Sequence, residues 1–470
     1  MVDAVVVGSG PNGLAAALTL ARAGLSVEVF EAAPTAGGGC RTEQLTLPGF
    51  VHDVCSTVHP LLTASPFFRE LALPGVGLLT PEVAYAHPLD GGRAAAVVRS
   101  VPGTAVGLGR DARRYEALMA PLVRDWEAVI DGALAPQRSL PRAPVAMARF
   151  GLRSVWPARA LASMFATDEA RAVLAGACAH SMQPLGAPLT AAFGVVLGLL
   201  AHAVGWPVVE GGSERIADAL VAAIEAEGGR VYTDAPIAAL SELPAARATL
   251  LDVSPRGLIA LAGDRLPARV RAAMARFKYG PGIFKLDWAL DGPVPWSAEA
   301  CRRTATVHVG GTFEQVARCE SEVGRGRVPE QPFCIIVQPS VVDPSRAPAG
   351  KHTLWGYCHV PPGCPVDMTE AIEAHVERFA PGFRELVLAR AAAFPADVER
   401  RNPNYVGGDI GAGAATARQT FFRPTVSWNP YRTGMPGVYL CSASTPPGGG
   451  VHGMCGVFAA RTALRDLDGR

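Results

Sequence analysis

A short glycine-rich segment near the N-terminus has the spacing of a dinucleotide-binding turn. It reads Gly8-Ser9-Gly10-Pro11-Asn12-Gly13 and follows the apolar run from Val2 to Val7. We expect Gly8 to permit a tight turn, Gly10 to let the backbone approach a pyrophosphate, and Gly13 to let a following helix pack closely on the strand. Glu31 comes about twenty residues later, where its carboxylate can accept the ribose hydroxyls. This spacing predicts a dinucleotide site rather than an ordinary structural turn.

A second glycine-rich loop, residues 37–42, follows Glu31 and contains an arginine. Consecutive glycines such as Gly38 and Gly39 let the main chain lie against a flat ligand or a phosphate. The Arg41 guanidinium adds a fixed cation with several donors. Because this loop lies where the second strand of a nucleotide fold ends, we predict FAD rather than NAD as the cofactor. A flexible surface loop without a ligand is the alternative.

The two loops must be held by regular elements on either side. Pro11 and Asn12 open a helical pattern that runs to Ala23, and the amides and positive dipole at its start suit phosphates. Val27–Phe30 is typical of a second strand. The first thirty-one residues therefore predict a strand, a turn, a helix and a strand in succession.

The same pattern returns in two later segments. Its predicted elements are a helix with Ser213 as N-cap, strands at 230–233 and 437–441, and a closing helix at 453–467. We predict an α/β fold with a Rossmann-like FAD-binding domain built from residues 1–65, 205–268 and 400–470. An inserted α+β substrate domain then comprises residues 66–204 and 269–399. Residues 66–204 are typical of helices and loops, whereas alternating runs such as Phe284–Trp288 and Phe333–Gln338 suit a mixed sheet.

Composition excludes several classes of protein. The chain has 470 residues, 49% hydrophobic, with a formal net charge of +1. This gives no overall basic field for nucleic acid or an anionic membrane surface, so we predict no nucleic-acid partner. The longest apolar run, Ala191 to Val204, is too short to span a bilayer; we expect a buried helix there and leave peripheral membrane contact open. Ten cysteines without a CxxC pair, and a first strand that leaves no room for a signal peptide, favour a cytoplasmic protein.

Four segments give the chain a resemblance to a known family. They are Gly8–Gly13 with Glu31 and Arg41, Pro48–Asp53, Tyr279–Trp288, and Ser444–Gly453. Over nearly its whole length the chain resembles the phytoene desaturase-related branch of the FAD-dependent amine-oxidase-like superfamily. It is more similar to the relatives of pyridine nucleotide-disulfide oxidoreductase domain-containing protein 2 than to the carotenoid desaturases, in which we do not expect a lysine at the position of Lys285.

The resemblance implies a second flavin-binding segment near the C-terminus. It places Ser444, Gly449, Gly450 and Val451 at the cofactor, where glycine backbone amides can approach the flavin. The helix that begins near Gly453 then directs its positive end toward the flavin N1/C2 edge, where negative charge develops on reduction. A loop without a ligand is the alternative.

Lys285 is the strongest single candidate for a catalytic residue. Lysine occurs only at Lys278, Lys285 and Lys351, and Lys285 lies in an apolar run. In the wider amine-oxidase superfamily that the chain resembles, a lysine on a strand before a Pro/Trp element holds a water at flavin N5. A cation there would stabilise developing charge and position a proton-carrying water. An ordinary solvated ion pair with Asp287, on the same strand face, is the alternative.

His452 is the second catalytic candidate, because it lies inside the C-terminal glycine segment and its ring can hydrogen-bond the flavin or the substrate. A helix-start histidine satisfied by the backbone is the alternative. His308 and His359 lie in separate strand-like runs whose spacing gives no metal pattern. We therefore predict no metal site.

These features predict an FAD-dependent oxidoreductase, that is, a dehydrogenase, desaturase or oxidase. It would remove a hydride and a proton from an apolar or amphipathic organic substrate, with flavin N5 as the hydride acceptor. Because the sequence shows no second GxGxxG domain, we expect oxygen, a quinone or another acceptor to reoxidise the flavin rather than NAD(P). The alternatives are a flavin amine oxidase, a redox-neutral flavin-dependent isomerase, and a non-enzymatic escort protein of the GDP dissociation inhibitor type. Arg41 and the C-terminal glycine segment argue against the escort protein.

Overall fold

The computed structural model describes residues 2–71, 73–136 and 140–469. The strands are β1 (Val2–Val7), β2 (Val27–Phe30), β3 (Thr42–Glu43), β4 (His52–Asp53), β5 (Leu78–Leu79), β6 (Val83–Leu89), β7 (Arg93–Val98), β8 (Val208–Val209), β9 (Arg230–Tyr232), β10 (Ala246–Leu251), β11 (Gly282–Leu290), β12 (Thr306–Val309), β13 (Cys334–Val337), β14 (His352–Val360), β15 (Val387–Ala393) and β16 (Val438–Leu440). The α-helices are α1 (Pro11–Arg22), α2 (Pro60–Ala64), α3 (Pro66–Glu70), α4 (Val101–Val106), α5 (Ala112–Arg124), α6 (Trp126–Ala133), α7 (Pro144–Ser154), α8 (Ala158–Ala162), α9 (Asp168–Ala179), α10 (Thr190–Ala203), α11 (Glu214–Ala226), α12 (Pro255–Ala262), α13 (Ala268–Met274), α14 (Glu299–Arg302), α15 (Phe313–Gly324), α16 (Thr369–Phe379), α17 (Pro395–Arg401), α18 (Ala417–Phe421) and α19 (Met454–Asp468).

A parallel sheet of five strands, in the order β16-β10-β1-β2-β9, forms the nucleotide half of the molecule. The predicted strands before and after the glycine turn, and those near residues 230 and 438, are confirmed. The sequence pattern does not single out β10, which pairs directly with β1. Because parallel strands direct their carboxyl ends to one edge, the ends of β1, β2 and β10 meet there. The predicted Rossmann-like α/β fold is confirmed, whereas the domain boundaries stay a prediction.

The helices α1, α11 and α19 cover this sheet. The contact between α1 and α19 is close because Gly456 has no side chain: a Cβ there would lie 1.9 Å from the Asn12 carbonyl oxygen. The helix after Ser213 is present, but the prediction that Ser213 caps it is wrong. Ser213 has helical backbone angles, and its hydroxyl instead donates to the Ser56 carbonyl and contacts His59. A tertiary partner has replaced the local capping bond.

A mixed sheet of seven strands, in the order β15-β11-β14-β13-β12-β6-β7, forms the core of the inserted half. The predicted strands around Phe284–Trp288 and Phe333–Gln338 are confirmed as β11 and β13. The helix-and-loop prediction for residues 66–204 is wrong for the hairpin of β6 and β7. Alanine, which is depleted in strands, occupies much of this hairpin, and pairing with β12 outweighs that preference.

Helices α4, α9 and α10 pack on this sheet, and α5 to α8 pack against other helices of the same layer. The predicted buried helix at 191–204 is confirmed as α10, whose inner residues lie in the same apolar cluster as α5 and α9. Within the described ranges, no helix combines the length and apolar character needed to cross a membrane.

A buried ion triad joins the two halves. The Arg346 guanidinium donates to Asp53 and to Asp343, at 3.0 Å in each case, and also to the Val209 carbonyl oxygen. Asp53 in turn accepts a hydrogen bond from the Ser213 backbone N–H. All three charged side chains are excluded from solvent. The triad therefore connects β4 and the segment before α11 to the loop that precedes β14.

Candidate active site

One large cavity, of about 1170 Å³, opens at the carboxyl edge of the parallel sheet and continues over the mixed sheet. The structure brings twelve of the predicted site residues together on its wall: Gly8, Gly10, Pro11, Asn12, Glu31, Gly38, Gly39, Arg41, Ser444, Gly449, Gly450 and Val451. The predicted residues Gly13, Lys285 and His452 are not part of this wall. The cavity thus unites three glycine segments that are distant in sequence.

The glycine turn is packed against a residue that the sequence pattern does not predict, Asp252. A Cβ on Gly10 would lie 2.7 Å from the Asp252 carboxylate, and a Cβ on Gly13 would lie 2.1 Å from the Gly8 carbonyl oxygen. Asp252 follows β10 directly and accepts a hydrogen bond from the Gly13 N–H. Burial raises the pKa of Asp252 to about 7, and the nearby Glu31 charge adds to that effect. An acidic residue at the end of a parallel strand was the available signal.

Glu31 fixes the second loop to the first. One carboxylate oxygen accepts hydrogen bonds from the Ser9 N–H and hydroxyl, and the other accepts from the Ala33 N–H and from Arg41. Position 39 requires glycine because a Cβ there would clash with the Tyr405 hydroxyl oxygen. Glu31 and Arg41 therefore already form an ion pair, at 3.1 Å, on the wall where the sequence predicts the ribose.

The C-terminal glycine segment approaches an equally close-packed loop. A Cβ on Gly449 would lie 2.8 Å from the Gly411 carbonyl oxygen, and Gly450 has a φ of +127°. Arg423, another wall residue that the sequence pattern does not predict, donates to the Ala412 carbonyl oxygen and leaves its buried Nε unpaired. This glycine segment precedes α19, as predicted.

His452 is held by the backbone on both sides of its ring. Its Nε2 contacts the Gly448 carbonyl oxygen at 3.1 Å, and its Nδ1 accepts from the Met454 N–H. Burial lowers the pKa of His452 to about 4. These contacts favour the alternative in which His452 shapes the start of α19, so its catalytic role stays a prediction.

Lys285 lies on the mixed sheet, one strand beyond the cavity floor. Its Nζ contacts both Asp287 carboxylate oxygens at 2.5 Å and lies 5.0 Å from the centre of the Trp355 ring. The ion pair with Asp287 is therefore present, but Lys285 is only 2% exposed, so the prediction of a solvated pair is wrong. Burial raises the pKa of Asp287, against the lowering effect of Lys285. Lys285 borders a small side cavity of about 70 Å³ that shares Cys55 and Tyr405 with the main one.

The strand register explains this arrangement. Residues that pair across β12, β13, β14 and β11 place their side chains in rows on one face of the sheet. One row consists of Thr306, Val337, Trp355 and Asp287, and the next row consists of His308, Ile335, Tyr357 and Lys285. Of these, Thr306, Ile335, Val337, Trp355 and Tyr357 line the cavity. The sheet therefore supplies a largely apolar floor with Lys285 at one end and His308 at the other.

The residues of the main cavity fit FAD. Its volume exceeds the roughly 300–1,000 Å³ of a site for one drug-sized ligand, so it can hold a dinucleotide together with a substrate. The buried Asn12 Oδ1 and Arg423 Nε have no protein partner, and both residues lie on the wall. Gly10, the N-cap of α1, makes no side-chain hydrogen bond to the first turn, where Asp252 accepts from the Gly13 N–H. Gly10, Asn12, Glu31 and Arg41 would hold the adenosine diphosphate part, and the C-terminal glycines would hold the flavin.

Comparison with known proteins agrees with this geometry. A family model described as an NAD(P)-binding Rossmann-like domain matches residues 6–71. Pyridine nucleotide-disulfide oxidoreductase domain-containing protein 2 of Rattus norvegicus is 26% identical, over 99% of this chain and 94% of its own length. Hydroxyneurosporene desaturase of Cereibacter sphaeroides is also 26% identical, over 99% of this chain and 98% of the desaturase.

Solved structures show the same fold. An oxidoreductase from Methanosarcina mazei aligns with a TM-score of 0.66 at 17% identity, covering 98% of this chain and 100% of the other. A putrescine oxidase variant redesigned in its cofactor binding aligns with a TM-score of 0.61 at 16% identity, over 100% of this chain and 99% of the oxidase. The predicted resemblance is confirmed: over nearly its whole length the chain is similar to proteins of the phytoene desaturase-related branch of the FAD-dependent amine-oxidase-like superfamily, and these matches support the prediction of an FAD-dependent oxidoreductase.

Proposed function

We propose that the enzyme removes a hydride and a proton from an apolar or amphipathic organic substrate held over the mixed sheet. The observation that carries the proposal is the continuity of one cavity from the Gly10 turn to the Trp355 floor. When bound, FAD supplies the hydride acceptor. The relatives include a hydroxyneurosporene desaturase, whose name supports an apolar substrate.

The distribution of charged residues on the wall supports separate places for the cofactor and for an apolar substrate. The charged residues on the described wall are Glu31, Arg41, Asp252, Arg256, Arg400, Arg401, Asp409 and Arg423, and none of them comes from the strands of the mixed sheet or from helices α4 to α10. Apolar side chains such as Leu134, Phe193 and Leu197 line the remaining volume. A cationic amine would meet no carboxylate among the described wall residues there, so the amine oxidase alternative gains no support from the wall.

We assign Lys285 the role of positioning the proton that is transferred. Its ammonium holds a proton at Nζ, fixed by Asp287, next to the side cavity. A cavity of about 70 Å³ has room for a water, since one water needs a cavity of only about 10–15 Å³. Lys285 therefore positions a proton, and a water that can carry it, behind the Tyr405 wall.

The first test is the flavin content of the purified protein and its response to reductants. We expect denaturation to release FAD, because the wall offers backbone contacts rather than a covalent link. NADPH should bleach the flavin far more slowly than turnover, which is on the order of 10 per second for typical enzymes. A metabolite screen under anaerobic conditions should find apolar molecules that bleach it. Colourless, FAD-indifferent protein, or fast reduction by NADPH, would contradict the proposal; oxygen, a quinone or another acceptor is expected to reoxidise the flavin.

We further propose a peripheral membrane contact through α7 and the segment that follows it. The whole chain has a formal net charge of only +1, but positive charge is concentrated in residues 132–167, which contain five arginines and no acidic residue. Leu152 and Trp156 are 73% and 53% exposed, whereas Phe150 of the same helix lines the cavity. Apolar side chains beside arginines suit the surface of an anionic bilayer.

Vesicle flotation tests this contact. Wild-type protein should bind vesicles that contain phosphatidylglycerol better than pure phosphatidylcholine vesicles, and added salt should weaken the binding. The double variant Leu152→Gln, Trp156→Gln should lose most of it. The matched control, Val426→Gln with Trp428→Gln, changes a second exposed apolar pair and should bind normally. Equal binding by both double variants would contradict the proposed contact.

A further inference from the structure

Two hydroxyl groups on the apolar part of the cavity wall have no hydrogen-bond partner. Ser181 and Thr306 both line the cavity, are 3% and 1% exposed, and leave their hydroxyl oxygens unpaired in the protein. Buried polar groups without partners are rare in folded proteins, because each has given up its hydrogen bonds to water. Two of them on one wall indicate that a ligand supplies the missing partner.

A histidine pair brings the two hydroxyl groups to the same end of the cavity. His180 precedes Ser181 at the end of α9, and His308 lies two residues after Thr306 on the same face of β12. The Nε2 atoms of the two rings are 2.9 Å apart, so one ring donates a hydrogen bond to the other. The contact joins the end of α9 to the edge of the cavity floor.

The hydrogen-bond partners assign the proton between the two rings. The His308 Nδ1 is buried without a partner, and an unpaired lone pair is tolerated better there than an unpaired N–H. His308 therefore carries its proton on Nε2 and donates to His180. Burial lowers the pKa of His180 to about 3 and that of His308 well below its usual value, so both rings are neutral at physiological pH.

The chain is shaped to hold His308 in this position. Gly176, in the interior of α9, faces the His308 side chain. A Cβ at this position would lie 2.5 Å from Nδ1 of His308 and 2.7 Å from its Cβ and Cγ. Glycine is unfavourable inside a helix, so its presence fits a demand for space rather than for helix stability. Trp206 packs against both rings, with its centroid 6.0 Å from His180 and 5.9 Å from His308.

We propose that Ser181 and Thr306 form a subsite for a neutral oxygen, a carbonyl or a hydroxyl, on an otherwise apolar substrate. This inference rests on the proposed function, because it names the polar feature of the molecule held over the mixed sheet. His180 completes the wall beside the hydroxyl groups, and His308 is a positioning residue. No charged residue belongs to this part of the described wall, so the subsite selects a neutral group.

The test compares 2-octanone, octane and octylamine as probes of the FAD-loaded protein, with binding followed by the flavin absorbance spectrum. The double variant Ser181→Ala, Thr306→Val keeps the shape of the wall and removes both hydroxyl groups. Since neither hydroxyl group is bonded within the protein, the variant should fold and retain FAD. We expect it to bind 2-octanone about tenfold more weakly than the wild type does, and octane within twofold.

A matched control separates this effect from the loss of any buried hydroxyl group. Ser154 and Thr353 are also buried with unpaired hydroxyl oxygens but do not line the cavity, so Ser154→Ala with Thr353→Val should leave the affinity for 2-octanone unchanged. An unchanged affinity of the Ser181→Ala, Thr306→Val variant for 2-octanone would overturn the subsite. Tighter binding of octylamine than of 2-octanone to the wild type would overturn its neutrality. Failure to bind FAD would instead overturn the proposed function.

Discussion

The wall beside the parallel sheet consists of backbone and charge, whereas the wall over the mixed sheet consists of apolar side chains and neutral hydroxyl groups. In the first region, the Glu31 carboxylate accepts hydrogen bonds from the Ser9 N–H and from Arg41 within the protein itself. In the second region, Ser181 and Thr306 remain without partners. Both regions contain buried polar atoms without a protein partner, among them Asn12 Oδ1 and Arg423 Nε in the first region. The glycine backbone and charges of the first region suit one constant dinucleotide, whereas the neutral hydroxyl groups of the second suit a particular substrate.

The largest effect is expected from Gly13→Ala, which acts on the first region alone. The new Cβ would lie 2.1 Å from the Gly8 carbonyl oxygen, so the turn must move. We expect FAD affinity to fall by about 1,000-fold, or about 4 kcal/mol. FAD retained after gel filtration measures the loss. Gly151→Ala is the control, since no atom lies near its Cβ, and it should retain FAD; normal FAD content in both variants would show that the turn tolerates the methyl group.

The next effect concerns Lys285, which borders the side cavity behind the Tyr405 wall. Lys285→Met keeps the length of the side chain and removes its charge. If the ammonium stabilises the transition state of proton transfer or reoxidation, that step should slow by about 30- to 1,000-fold, or about 2 to 4 kcal/mol, with FAD affinity little changed. Stopped-flow measurement of reduction and of reoxidation separates the two steps.

A double variant separates the effect of the Lys285 charge on the reaction rate from the effect of its ion pair with Asp287 on stability. Lys285→Met alone leaves the Asp287 carboxylate buried without its partner, which destabilises a fold. Adding Asp287→Asn should recover most of the lost thermal stability but not the rate. Normal rates in either variant would assign the pair a structural role only.

The smallest effect is a pH dependence that sharpens the description of the first region. Burial raises the pKa of Asp252 to about 7, so between about pH 4 and about pH 7 the folded protein holds a proton that the unfolded chain has released. The wild type should therefore lose stability as the pH rises through this window. Asp252→Asn removes the titrating group, and its stability advantage should grow by about 2 kcal/mol between pH 5 and pH 8. Thermal unfolding at several pH values measures the difference, and a constant advantage would mean that Asp252 does not titrate there.

Sequence patterns predict the first region well because its chemistry is local. The turn, the first helix and Glu31 lie within one short segment, and the hydrogen bonds of Glu31 to Ser9 and Ala33 follow from that proximity. Asp252 was not predictable in the same way, since its contact with Gly13 spans 239 residues. The hairpin of β6 and β7 is not predicted from the sequence because its alanines favour a helix. The pairing of β6 with β12, which outweighs that preference, is not visible in the local sequence.

The second region depends on contacts that no local pattern reports. His180 and His308 are separated by 128 residues and meet only because α9 packs over β12. The register of the mixed sheet, rather than the spacing of residues, places Trp355 and Lys285 on one face. Apolar strands of this kind can be predicted, but which of their side chains border a cavity cannot be read from the strands alone.

The Arg346 triad has a consequence for how a substrate reaches this cavity. Many two-domain enzymes admit their substrates by a hinge motion. Here such a motion would separate Arg346 from Asp53 in a place without solvent, at a cost of about 3 to 5 kcal/mol. Substrate entry is therefore expected to occur without separation of the two halves.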